Sequence, residues 1–177
     1  MGTQIELWLH LLAFATYVGA TVAVLLICLP MARAEPDPER RLRIVTGTMR
    51  VYDPLTIGAL GVLVMTGAFN LTAYKAALRE LFFSRLGSVL AWKLLLSFFL
   101  INLAAYIAFG LGHRIVRAAE DTPTLDPDRL DRMVTRLRWS LLTALVLVGA
   151  ITWVALGMGA IAVPPGAVDA MRGGTGL

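Results

Sequence analysis

At 177 residues the chain has the length of one domain, yet 58% hydrophobic residues, 16% charged residues and a mean hydropathy of +0.73 exclude an ordinary soluble one. A net charge of +4 and a pI near 9.7 suggest a nucleic-acid partner only until the basic residues are placed, because they gather in two loops between apolar runs. The lone Cys28 excludes an intramolecular disulfide and a cysteine-built zinc site.

Four runs are apolar over the roughly 20 residues that a helix needs to cross a ~30 Å hydrocarbon core. They cover residues 5–31, 54–74, 88–112 and 139–163. The expected fold is therefore all-α, a four-transmembrane-helix bundle forming one integral membrane domain. The first run follows the acidic stretch MGTQIE and exceeds the 7–15 apolar residues of a signal peptide, so it reads as a retained helix. It carries His10 and Tyr17, seven apart and so on one helical face.

The connection over residues 32–53 holds Arg33, Arg40, Arg41, Arg43 and Arg50. Leu42, Val45 and Met49 recur at helical spacing, which predicts a short interfacial helix. Asp53-Pro54 then reads as an N-cap followed by proline at the first helical position, opening the second span. That span carries Met65, Thr66 and Asn70. Residues 75–87, "KAALRELFFSRLG", suit a short interfacial helix that dips Phe82 and Phe83 into the bilayer edge.

The third span is interrupted by Lys93, which has no other Asp, Glu, Arg, Lys or His beside it across residues 87–112. A charge at membrane depth costs about 2.5–3.5 kcal/mol by insertion scales, so it marks a cavity, a partner or a ligand unless it snorkels to the surface. The loop over 113–138 brings Arg114, Arg117, Arg129, Arg132, Arg136 and Arg138. Asp126-Pro127 starts an Arg-rich lead-in, "PDRLDRMVTRLR", to the fourth span, which carries Trp153 and Met158. Pro164-Pro165 stops that helix before a polar tail.

Eleven of the 16 Lys and Arg residues lie in the first and third connections, against four (Lys75, Arg79, Arg85 and Arg172) on the other side. The positive-inside rule then places the two basic loops in the cytoplasm and both termini outside, in a bacterial-type plasma membrane crossed several times. The arginines report topology and anionic headgroups, and no nucleic-acid partner is expected. Small residues along the spans allow close helix packing, with other membrane subunits or with further copies of the chain.

Topology converts spacing into depth. His10, Lys93 and Asn70 each lie four or five residues inside the outer end of their spans, about 6–8 Å deep at 1.5 Å per residue. Trp153 and Met158 approach the same level from the fourth. Thr66 and Asn70 share a face, as do Lys93 and Ser97. His10 reads either as a ligand or as a core imidazole bonded within the bundle, and Asn70 either as a ligand contact or as a hydrogen bond between helices. His113, the other histidine, falls at the opposite end, so the two cannot hold one iron together. Haem bound through His10, with Met158 or nothing opposite, is one reading of this layer. Copper held by His10, Met65 and Met158 is another.

The motifs resemble a known family. "LWLHLLAFATYVGA", "GVLVMTGAFNLT" and "SRLGSVLAWKLLLSFFLINLAAYIAFGLGHR" are similar to the first three helices of the copper-resistance D (CopD) family. The HemJ-type protoporphyrinogen oxidases are similar at a greater distance, with a histidine in helix one and a lysine in helix three where His10 and Lys93 stand. Where those oxidases carry a second histidine before the lysine, this chain reads Leu90-Ala91-Trp92. The resemblance covers residues 5–115 and implies a connection to haem b or to copper. The expected protein is a b-type haem-binding or redox-associated electron-transfer subunit, with His10, Lys93, Asn70, Tyr17 and Trp153 around the cofactor. A copper handler, or an accessory subunit of a larger membrane complex, are the other functions left open.

Overall fold

The computed structural model describes residues 2–78, 81–121 and 127–162. Apart from the turn at Glu35, Pro36 and Asp37, all of them are helical. Helix α1 (Gly2–Ala23) passes through a π-helical segment (Val24–Cys28) into α2 (Leu29–Ala34). Helix α3 covers Pro38–Leu78, and α4 (Leu81–Ala105) runs through a second π-helical segment (Tyr106–Gly112) into α5 (His113–Asp121). Helix α6 is Pro127–Ala162. Among the described residues, four stretches are long and apolar enough to cross a bilayer: Gln4–Ala34, Pro38–Phe69, Gly87–Arg117 and Asp128–Gly157. The protein is an all-α four-helix bundle that crosses a membrane several times and meets lipid along its sides.

The first turn shows why α3 starts where it does. Pro36 keeps Glu35 extended, at φ −77° and ψ 116°, which ends α2. Asp37 then caps α3: its Oδ1 accepts the Glu39 N–H at 3.0 Å, and Pro38 takes the first helical position.

Asp53-Pro54 repeats the same dipeptide but does not start a helix. Instead α3 runs unbroken for 41 residues with Pro54 inside it, and the expected interfacial helix is simply its first turns. The reason is a continuous buried stripe. Leu42, Val45, Met49, Tyr52, Thr56, Ala59 and Thr66 all face the bundle at helical spacing. Burial on both sides of the proline outweighs its cost of about 3 kcal/mol. Thr56 Oγ1 also donates to the carbonyls of Tyr52 (2.8 Å) and Asp53 (3.2 Å), tying down the backbone beside Pro54.

Span one packs chiefly on α3, and α4 chiefly on α6. Packing is uneven along the bundle. At the Arg-rich end Ala32, Met49, Val134, Leu137 and Leu141 are fully enclosed, with Leu29, Leu42, Val45, Ile115 and Leu130 around them. There α3 and α6 extend beyond Arg50 and Arg138 as a packed stub, joined by an ion pair between Arg41 and Asp131. At the other end, among residues 4–12, 60–69, 87–99 and 149–157, Thr66 is the single buried side chain described. The Arg-rich end thus carries a conventional core, whereas the His10 end contributes partly buried side chains such as Leu60, Leu63 and Ile151.

Candidate functional site

The open end holds the polar residues singled out above. On α1, His10 meets α3 through its ring: Nδ1 lies 2.7 Å from Thr66 Oγ1. The direction of that bond follows from Thr66's other partners. Its hydroxyl donates to the Val62 carbonyl at 2.7 Å, with the Leu63 carbonyl 3.3 Å away, so its hydrogen is committed to the backbone. Thr66 Oγ1 must therefore accept, and His10 Nδ1–H must donate. In the neutral ring that leaves Nε2 with a free lone pair. In this arrangement the hydrogen bond at one ring nitrogen fixes a histidine's tautomer and aims the other nitrogen at a ligand.

The imidazole also passes close to Gly67, where even a Cβ would sit 3.8 Å from His10 Cε1. That is ordinary van der Waals contact, so an alanine would fit there. Lys93, half-buried on α4, lies within electrostatic range of His10. Ser97 is half-buried one turn further along α4.

The other expected members are distributed differently. Trp153 is 79% exposed and Met65 57% exposed, so both side chains lie on the outside of the isolated bundle. Asn70 and Met158 belong to α3 and α6, but their side chains fall outside the described residues. The expected helix at 75–87 spans α3's end at Leu78 and α4's start at Leu81, with side chains also outside that set. His113 is exposed at the Arg-rich end, far from His10.

Tyr17 is buried to 1% exposure and belongs to a second polar group, two helical turns (about 10 Å) from His10. Thr21 Oγ1 donates to the Tyr17 carbonyl at 2.8 Å, so at 3.2 Å it must accept from the Tyr52 hydroxyl of α3. Asp53 stands beside Tyr52, with its carboxylate against Gly112 of the second π-helical segment. Sequence reading assigned Asp53 a capping role and passed over Tyr52 and Thr21. The usable signal was the run of hydroxyl residues Tyr17 and Thr21 opposite Tyr52 and Thr56, which becomes a facing pair only once α1 and α3 are known to lie antiparallel.

Comparison of the chain with protein-family models, curated proteins and solved structures finds no match.

Proposed function

We propose that the protein is a b-type haem-binding, electron-transferring membrane subunit whose site lies at the His10 end. The observation that carries this reading is the His10–Thr66 bond. It leaves Nε2 free to hold a haem iron in the part of the bundle where, among the described residues, few side chains are fully buried. A large flat apolar group suits such a place, because it would supply the packing that the side chains do not.

The residues fit haem better than copper. One oriented imidazole would be enough to hold a haem iron. Lys93 would supply a cation for a propionate. A copper site needs several soft donors converging, and Met65 faces outward. When bound, haem supplies one-electron chemistry. The chain's own work is to hold Nε2 in register through Thr66, neutralise an anionic edge with Lys93 and shield the site with its apolar spans. The resemblance to the CopD and HemJ-type proteins, with His10 and Lys93 at matching positions, supports the same assignment. So does the Arg-rich opposite end, which by the positive-inside rule faces the cytoplasm and leaves His10 near the outer surface.

The test is spectroscopic. Protein purified from cells amply supplied with haem is expected to show a Soret band that His10→Ala abolishes. A colourless wild-type protein, or a band unchanged in His10→Ala, would overturn the assignment.

A further inference from the structure

Asp53 has no explanation in the haem reading or in the architecture. It is not a cap, because α3 began at Pro38, and it lies one helical turn on the membrane side of Arg50. Its Oδ1 is buried and receives no hydrogen bond. Its Oδ2 sits so close to Gly112 that an added Cβ would lie 2.1 Å away, a seat that any other residue would fill. A buried carboxylate oxygen without a donor is unfavourable, so such a group ordinarily has a partner that the chain alone does not provide.

Two independent features converge on the same place. The Tyr17 hydroxyl, on a residue 1% exposed, is also buried without a partner and lies within electrostatic range of Tyr52, which in turn neighbours Asp53. Tyr52 cannot satisfy Asp53, since its hydrogen goes to Thr21. Both flanking spans are moreover π-helical here: Val24–Cys28 follows Thr21, and Tyr106–Gly112 ends against the carboxylate. Such i→i+5 stretches interrupt the regular carbonyl ladder and recur at functional sites.

We propose that Asp53 is the anionic ligand of a small monovalent cation, Na+ or a proton, bound at the junction of α1, α3 and the second π-helical segment. One carboxylate matches one positive charge. Hard neutral oxygens from Tyr52, Tyr17 and the interrupted backbone complete a set that suits a hard monovalent ion rather than a soft metal. Among the described residues no group of three or more His, Cys, Asp or Glu gathers to hold a multivalent ion. Asp53 as a whole residue is only partly buried, which leaves the ion a way in and out. The site is independent of whatever His10 holds.

The experiment uses the full chain in detergent. Thermal unfolding is followed as NaCl replaces choline chloride at constant ionic strength, and infrared spectra are recorded for a protonated carboxyl band. Binding of Na+ predicts a midpoint that rises with NaCl, and binding of a proton predicts an acid carbonyl band with no Na+ effect. In either case Asp53→Asn removes the signal, Gly112→Ala weakens Na+ binding about tenfold or more or displaces the band, and His10→Ala leaves it intact. Neither signal in the wild-type protein, or a signal that survives in Asp53→Asn, overturns the proposal. Should Asp53→Asn fail to fold, Gly112→Ala decides: a response identical to wild type refutes the site.

Discussion

Thr66 illustrates how much a single hydroxyl can fix. Because it already donates to the Val62 carbonyl, it can only accept from His10, and the histidine's tautomer follows. Thr66→Val keeps the shape of the side chain and removes the acceptor. The bond itself is worth about 1 kcal/mol to the fold. Its larger effect falls on the ligand nitrogen, for which loss of the hydrogen bond that orients the ring costs about 10–100-fold in affinity. Haem titration of Thr66→Val is therefore expected to show weakened binding with near-wild-type thermal stability, whereas His10→Ala shows no axial binding. Equal haem affinity in wild type and Thr66→Val would show that Thr66 does not orient the ring. Lys93, by contrast, was conspicuous from sequence alone, because a charge within an apolar run needs a reason whatever its neighbours are.

At the scale of the element, α3 contains both regimes of the bundle in one helix. Met49 is completely enclosed at the Arg-rich end, while Met65, four turns later, is 57% exposed. Met49→Ala is expected to cost about 2–5 kcal/mol, since its cavity is walled by residues of the packed stub. Met65→Ala should change stability by no more than about 0.5 kcal/mol. Denaturation in a mild detergent with graded denaturant compares the two directly. Similar losses for both would mean that the His10 end has a core not visible in the isolated chain, such as one completed by a second subunit. The same helix shows the limit of local signals. Asp37-Pro38 and Asp53-Pro54 are chemically equivalent openings, and only the buried stripe running past the second one distinguishes a start from an interior position.

For the whole molecule, the gradient in packing and the gradient in charge run in parallel. The Arg-rich end is also the tightly packed end, extending past the apolar zone: at 1.5 Å per residue the Pro38–Phe69 stretch alone is about 48 Å long, against a ~30 Å hydrocarbon core. A stub that protrudes into water can use the hydrophobic effect to build its core, whereas helices within lipid cannot. That accounts for a dense end and a sparse end in one bundle. The orientation is open to direct measurement. In a variant with Cys28 replaced by Ala, a cysteine at His113 is expected to react with a membrane-impermeant maleimide only after the cells are opened. One at Ser88 should react in intact cells. The reverse pattern would invert the proposed topology and move the His10 site to the cytoplasmic face.

The number of spans and the basic end were legible in the sequence, because hydropathy and charge are local or additive quantities. What only the tertiary structure decided were matters of facing. It selected which Asp-Pro pair opens a helix, and it paired Thr66 with His10. It also set Tyr17, which shares a helical face with His10, in the Tyr52 group and turned Trp153 and Met65 outward. Each depends on the rotation of one helix against another, set by shape and hydrogen bonding across an interface that periodicity within a single helix cannot specify. Asp53 stands at that boundary: its type was plain in the sequence, but its burial against Gly112 exists only because two spans from distant parts of the chain approach there.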